Sequence, residues 1–234
     1  FLAYRVPGGD PVSQRDTPLV TGEETTMKVG FISLGCAKNQ VNCEQMIWKT
    51  YEAGYEVALG ADWLAQYANG AGLGDTVTLD TPSFSGTYVV TGTMTEGRIL
   101  VNAPKEEVTL VLQDAAITCS TGSPLYVYKS KATILYLPEG TASTLTDGTD
   151  YTFSDSYSSA EEEEPNACLY SKSDLIIAGS GSLTVNANYN NGITGKDTLF
   201  IQKASVTVTA VNHGINGKDS LTIKDADITV TSGG

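Results

Sequence analysis

The sequence predicts an all-β protein whose main body, residues 76–234, is a right-handed parallel β-helix built from rungs of about 22 residues. Three observations lead to this prediction. The chain repeats itself near its end, its apolar residues form short runs that alternate with polar residues, and Gly, Ser, Thr and Asn are abundant between the runs. This combination is typical of half-buried strands separated by turns.

The internal repeat is the strongest of the three. Residues 191–212 align with residues 213–234 at an offset of 22, and 11 of the 22 positions are identical. One rung cannot bury its own apolar edge, but a second rung about 4.8 Å above it can. About six or seven rungs follow from the spacing of the runs. Four stacked pairs are expected in the core of the last two rungs: Leu199 on Leu221, Ile201 on Ile223, Val206 on Ile228 and Val208 on Val230.

Residues 147–166 interrupt the rungs and contain four consecutive glutamates at 161–164. A run of like charges repels itself and favours solvent, so a solvated loop is expected there, with cation binding as the alternative. The sequence begins without Met and stops within a repeat, which suggests a C-terminally truncated piece of a longer protein.

Ahead of the rungs, residues 1–26 show no apolar period and are expected to be irregular. Residues 27–70 form a separate short segment, in which a buried strand over 29–34 precedes a tight turn and a helix over about 42–53. The segment 27–57 closely resembles the start of the radical-SAM methylthiotransferases. Three interpretations of this region stay open: a borrowed βα unit, a remnant of a fusion, or an artefact of sequence assembly.

In that family, the cysteine that matches Cys36 is an iron–sulfur ligand. The present chain lacks the CxxxCxxC motif and the downstream cluster cysteines. Because a cluster needs three or four protein ligands, we expect no iron–sulfur cluster and no methylthiotransferase activity. Cys119 and Cys168 either pair as a disulfide in an exported protein or remain buried free thiols.

The charge balance narrows the choice of partners. With 14 Lys and Arg against 27 Asp and Glu, the net charge is −13, so the chain would repel a nucleic-acid backbone. No run approaches the roughly 20 apolar residues of a membrane span. We therefore expect neither a nucleic-acid partner nor a membrane span.

The repeats Asn-Gly-Ile…Gly-Lys-Asp, together with the runs at 84–88, 108–112 and 124–127, resemble a clostridial family of carbohydrate-binding β-helix proteins. The resemblance implies an exported, pectate-lyase-like fold with bound calcium that binds cellulose or pectic acid without known catalysis. It therefore implies a plant cell-wall polysaccharide as partner and an extracellular or cell-surface location.

Candidate calcium ligands follow from the repeat. Asp197 and Asp219 occupy equivalent positions, so stacking brings two carboxylates to within about 5 Å, where they repel unless a cation separates them. Calcium accepts six to eight oxygens, and Asn190, Asn191 and Asn212 offer more. Two alternatives remain open: Lys196 and Lys218 neutralise the aspartates, and the asparagines, with Asn188, form a structural ladder.

Aromatic side chains supply the second carbohydrate signal, because their faces stack on sugar rings. The candidates are Tyr126, Tyr128, Tyr136, Tyr170 and Tyr189. For Tyr126, Tyr128 and Tyr136, alternation along the strands suggests an outward orientation. The alternative for each is a tyrosine with a purely structural role.

Two other functions compete with binding. A lyase would need a base beside a metal, but the three arginines, Arg5, Arg15 and Arg98, lie outside the repeats, and Lys196 or Lys218 would need a lowered pKa. A hydrolase would need two carboxylates about 5 Å apart, a spacing that stacked aspartates imitate. A solenoid that serves only as a surface spacer needs no ligand at all.

Overall fold

The computed structural model describes residues 29–34, 75–80 and 86–234, of which the first two ranges are described as backbone strands. Within these ranges all regular structure is β, in 17 strands. The strands are β1 Val29–Leu34, β2 Asp75–Asp80, β3 Gly86–Met94, β4 Gly97–Asn102, β5 Glu107–Cys119, β6 Leu125–Lys129, β7 Ala132–Leu137, β8 Ala142–Asp147, β9 Ala167–Ser171, β10 Asp174–Gly179, β11 Ser182–Ala187, β12 Asn191–Gly195, β13 Thr198–Gln202, β14 Ser205–Ala210, β15 Ile215–Gly217, β16 Ser220–Lys224 and β17 Asp227–Ser232.

The strands wind into about six turns, and every pairing between named strands is parallel. Sheet 1 has the order β15-β12-β9-β6-β4-β2. Sheet 2 contains β7, β10, β13 and β16, and sheet 3 contains β8, β11, β14 and β17. The long strand β5 joins sheets 2 and 3, because its first part pairs with β7 and its last part with β8. The predicted parallel β-helix is confirmed.

The predicted register of the last two rungs is confirmed. Leu199 pairs with Leu221 and Ile201 with Ile223 across β13 and β16. Val206 pairs with Ile228 and Val208 with Val230 across β14 and β17. The spacing is looser upstream, where Leu175 pairs with Leu199, 24 residues on.

The core is a column of Leu, Ile and Val side chains from all three sheets. Within it, residues such as Leu135, Leu169 and Ile177 are completely buried. Each such side chain contributes about 1.5–3 kcal/mol when it leaves water. Alternate residues of each strand point out of the column, as the pattern of β14 shows. These outward residues are the ones available for a functional site.

The N-terminal prediction is met in part. The strand predicted over 29–34 is present as β1, and it pairs in parallel with β3, so it extends the solenoid instead of standing apart from it. The predicted helix over 42–53, Cys36 and the irregular segment 1–26 lie outside the described residues. Where the structure is described, no helix has the length and apolar character needed to cross a membrane.

Candidate functional site

Residues 148–166 leave the solenoid after β8 and return at β9, and this 148–166 loop packs on the outer face of sheet 1. Tyr126 of β6 and Tyr170 of β9 are neighbours in register on that face, with ring centroids 5.6 Å apart. Tyr157 of the loop packs on Tyr128 at 5.1 Å, and the Tyr126 hydroxyl donates to the Tyr157 carbonyl oxygen at 2.8 Å.

The loop therefore hides two of the predicted sugar-binding tyrosines. Tyr126 is 0% exposed and Tyr170 is 1% exposed. The expectation that Tyr126 faces solvent is wrong, because alternation places its ring outside the core column but a loop 31 residues away in sequence covers it. Burial raises the pKa of both hydroxyls, as expected for phenols kept from water. In this arrangement neither ring can stack on a sugar.

Glu164 fastens the end of the loop to the solenoid. Its Oε1 accepts a hydrogen bond from Lys196 Nζ, and its Oε2 lies 2.9 Å from Lys172 Nζ. Burial by itself would raise the pKa of Glu164, but the two lysines outweigh burial and lower it to about 2. Backbone hydrogen bonds in both directions with Ser159 fix the same residue.

The solvated loop predicted for 161–164 is thus correct for three glutamates and wrong for the fourth. Residues 161–163 are exposed, whereas Glu164 is 5% exposed. Nothing in a run of four identical residues distinguishes its last member. Lys196, one of the expected neutralising partners of the adjacent aspartates, instead pairs with Glu164.

Three lysines form a column along the edge of this face, and we call Lys172, Lys196 and Lys218 the lysine ladder. Each follows a residue paired in register, Ser171 with Gly195 and Gly195 with Gly217. Successive members therefore lie one rung, about 4.8 Å, apart along the backbone. Lys172 also lies over the Tyr128 ring, with Nζ 5.5 Å from the centroid.

Tyr189, in the turn between β11 and β12, belongs to a second aromatic group. Its ring stacks on Tyr151 of the loop with centroids 4.1 Å apart and planes 15° from parallel. The Tyr151 hydroxyl donates to Asp147 Oδ2 at 2.7 Å, and the backbone N–H of Asn188 donates to the same buried carboxylate. Burial raises the pKa of Asp147, and the hydrogen bonds that it accepts oppose this effect.

Tyr189 itself remains only half-buried. One face of its ring is covered by Tyr151, while the turn that carries it is held by Asp147. The Tyr151–Tyr189 pair, called here the tyrosine platform, is therefore a rigid aromatic surface at the rim of the solenoid. Tyr136 of β7, in sheet 2, is more exposed at 43% but lies away from this platform.

The five predicted calcium ligands fall into two groups. Asp197 and Asp219 are exposed in the turns after β12 and β15, while Asn190, Asn191 and Asn212 lie at or before the start of these strands. A strand of five residues spans about 16 Å, so the two groups cannot surround one ion. Asn191 acts in a ladder, because its Nδ2 donates to Asn166 and its Oδ1 accepts from the His213 N–H.

Asp197 experiences the repulsion from neighbouring carboxylates that the sequence predicts. Burial, followed by the charges of Asp174 and Asp219, raises the pKa of Asp197. Two or more carboxylates that repel in this way favour a cation, and oxygen donors suit calcium. Among the described residues, however, no three Asp, Glu, His or Cys side chains come together as a metal-binding group. A calcium ion at the described aspartates would therefore need further oxygen ligands.

Two further expectations concern residues near the loop. Cys119 and Cys168 are both buried and free, in line with the thiol alternative. Arg98 forms an ion pair with Asp155 of the loop, and Asp155 also accepts hydrogen bonds from the N–H groups of Tyr157 and Ser158. Arg98 therefore holds the loop in place. Because it is engaged in this ion pair, it does not offer the free base that a lyase would need.

Comparison with known proteins fits this geometry. A family model described as "Carbohydrate-binding domain-containing protein" matches residues 73–234, more than half of the chain. The chain belongs to this family. A family member from Acetivibrio thermocellus, also called a carbohydrate-binding domain-containing protein, is 40% identical over 126 residues. That match covers 53% of the present chain and 43% of the relative, so the chain spans less than half of the relative's length.

A solved structure is similar in fold to the present chain. The polysaccharide lyase-like protein from C. thermocellum, solved as a gadolinium derivative, superposes with a TM-score of 0.56 and 27% sequence identity. The superposition covers 68% of this chain and 82% of the other. The descriptions of these proteins name carbohydrate or polysaccharide.

Proposed function

We propose that this chain binds a plant cell-wall polysaccharide outside the cell, without cleaving it, and that the tyrosine platform is its sugar-stacking surface. The observation that carries this proposal is the Tyr151–Tyr189 stack, with centroids 4.1 Å apart and Tyr189 still partly exposed. A ring already held in place loses little conformational freedom when a sugar packs on it, which favours affinity.

We further propose that calcium assists the binding of acidic chains at Asp197 and Asp219. The raised pKa of Asp197 supports this, because neighbouring negative charges cause part of the rise. Since calcium takes six to eight oxygens and the turn supplies few, carboxylates of an acidic polysaccharide and water would complete the shell.

The separation of a stacking surface from a calcium site predicts which polysaccharides need calcium for binding. A chain with a net charge of −13 repels a pectate chain, so a bridging cation increases affinity for pectate. A neutral chain such as cellulose needs only stacking and hydrogen bonds. Calcium should therefore strengthen the binding of pectate much more than the binding of cellulose.

A pull-down on cellulose and on polygalacturonate, with calcium or with EDTA, tests both parts. Tyr189→Ala should weaken retention on both polymers about fivefold, the equivalent of losing one aromatic contact. Tyr136→Ala is the matched control and should bind as the wild type does. The double variant Asp197→Asn with Asp219→Asn should lose the calcium effect on pectate and the calcium-induced gain in Tm. Equal binding by the Tyr189 and Tyr136 variants would contradict the platform.

A polysaccharide lyase is the second candidate, favoured by the description of the solved neighbour. Lys218 would be the base, since contact with the Lys196 ammonium group and repulsion by it lower the Lys218 pKa. Lys218 is exposed, however, and so lacks the desolvation that turns a lysine into a base near neutral pH. An assay for unsaturated uronides separates the two functions, because only β-elimination forms that double bond.

A further inference from the structure

Among the described residues, Lys172 and Lys196 of the lysine ladder form salt bridges with a carboxylate, whereas Lys218 forms none, although the charges of Glu164 and Asp219 act on it. Glu164 bridges Lys172 and Lys196, one oxygen to each. Lys218 extends the column by one more rung, but Glu164 does not reach it with a salt bridge. No carboxylate in the described part of the chain forms salt bridges to both Lys196 and Lys218.

The register of β12 and β15 places Lys196 and Lys218 one rung apart, and the pKa values of the two lysines shift in opposite directions. Hydrogen bonding to Glu164 raises the pKa of Lys196, whereas the contact with Lys196 and its positive charge lower the pKa of Lys218. Two like charges one rung apart are stabilised by an anion that contacts both, as Glu164 does one rung earlier. The repeat thus creates two successive pairs of stacked lysines. Glu164 bridges the first pair, Lys172 and Lys196, whereas no described carboxylate bridges the second pair, Lys196 and Lys218.

Polar groups beside the ladder suit an oxyanion. Thr194 lies two residues before Lys196 on the same outer face of β12, and its Oγ1 is buried without a hydrogen-bond partner in the described structure. Asn216, half-buried, is the register neighbour of Thr194 in the next rung and lies two residues before Lys218. A buried hydroxyl without a partner costs free energy, so a ligand oxygen that reaches it would gain affinity.

We propose that the outer face of β12 and β15 binds a carboxylate of an acidic polysaccharide directly, between Lys196 and Lys218, with Glu164 as the built-in example of that contact. The proposal rests on the proposed polysaccharide-binding function and adds to it a second contact for the carboxylates of uronic acid chains. It differs from the calcium mechanism because it needs no metal. Glu164 stays in place, since its backbone bridge to Ser159 holds it at 2.7 and 2.9 Å.

Calorimetry in EDTA at low salt, with a short oligogalacturonate and a cello-oligosaccharide of equal length, tests the proposal. The wild type should bind the acidic oligomer without calcium. Lys218→Gln should weaken that binding about threefold, as expected for a partly exposed ion pair. Lys224→Gln, an exposed lysine of β16 in sheet 2, makes the same change in net charge and should have no effect.

Glu164→Gln gives the sharper test. Removal of the built-in carboxylate frees Lys172 and Lys196, so the affinity for oligogalacturonate should rise even though the fold is weakened. A purely structural role for the ladder predicts no gain. If this variant fails to fold, Thr194→Val replaces it and should bind the acidic oligomer more weakly than the wild type without loss of Tm. Unchanged binding in Lys218→Gln, or weaker binding in a folded Glu164→Gln, would overturn the proposal.

The same measurements separate this inference from the proposed function. Binding of the cello-oligosaccharide that depends on Tyr189 but not on Lys218, together with no calcium-free binding of the acidic oligomer, would refute the ladder and leave the platform intact. Calorimetry with inorganic sulfate tests the oxyanion site separately from the binding of oligosaccharides. Sulfate binding that weakens in Lys218→Gln, with no binding of either oligosaccharide, would support the oxyanion site and refute the polysaccharide function.

Discussion

The last two rungs, residues 191–212 and 213–234, share half of their residues but not their environment. Leu199 and Ile201 are 0% exposed, whereas their repeat partners Leu221 and Ile223 are 40% and 45% exposed. Within the described strands, β13 and β14 of the first rung lie between two neighbouring strands, whereas β16 and β17 of the second are the last strands of their sheets. Residues 213–234 also line an open hollow of about 410 Å³ that includes Ile223 and Val230. Identical residues thus contribute differently to the free energy of unfolding, because their burial depends on their position in the stack of rungs.

The polar residues of the two rungs differ in the same way. Lys196 is 28% exposed and paired with Glu164, while Lys218 is exposed and forms no salt bridge among the described residues. The 148–166 loop causes this difference between the two lysines, because its Glu164 pairs with Lys196 of the rung 191–212. A repeat therefore builds equivalent half-sites, and an insertion elsewhere in the chain decides which of them is already occupied.

Leucine truncation should show the largest difference between the two rungs. Leu199→Ala leaves a closed cavity between two rungs and should cost about 3 kcal/mol of unfolding free energy. Leu221→Ala should cost about 1 kcal/mol, because its side chain is already 40% exposed. Urea unfolding followed by circular dichroism measures both values. Equal losses would mean that the last rung is covered in solution.

Acidic pH should act on the ladder through Glu164. The folded-state pKa of Glu164 is about 2, below its ordinary value of 4.5, so its ion pairs stabilise the fold fully above pH 4.5. That stabilisation, about 2 kcal/mol after screening by water around the lysines, is lost as the pH falls from 4.5 towards 2. Unfolding free energies of the wild type and Glu164→Gln, measured across this range, should converge as the pH falls. A constant difference would refute this role.

Removal of each ladder lysine tests whether the loop distinguishes the two rungs. Lys196→Gln should lower the unfolding free energy by about 1 kcal/mol, since Glu164 keeps Lys172 as a partner. Lys218→Gln should leave stability unchanged or raise it slightly, because the repulsion with Lys196 disappears. Thermal unfolding at neutral pH is sufficient, and similar losses in both variants would show that Glu164 serves the two lysines alike.

The aspartate pair should give the smallest effect. Without calcium, Asp197→Asn should raise the Tm slightly, because it relieves the repulsion from Asp174 and Asp219 that contributes to the raised pKa of Asp197. With calcium, the same variant should be less stable than the wild type if the proposed ion site exists. A calcium titration by scanning calorimetry compares the two conditions. No change of sign between them would contradict the calcium proposal.

The sequence by itself determined the solenoid, its rung length near the end of the chain and the register of its core. Apolar alternation with an offset of 22 leaves few other ways to bury Leu199, Ile201, Val206 and Val208. It also identified the repeated Lys and Asp positions, because in-register stacking follows from the repeat. The boundaries assigned to the segments 1–26, 27–70 and 76–234 stay predictions.

Only the tertiary structure decided which of the outward residues are accessible. The 148–166 loop buries Tyr126 and Tyr170, pairs Glu164 with the ladder and stacks Tyr151 on Tyr189. Alternation along a strand tells which side of a sheet a residue occupies, but not what covers that side. That depends on contacts between residues far apart in the chain, such as Glu164 and Lys196, 32 positions away, which no local pattern records.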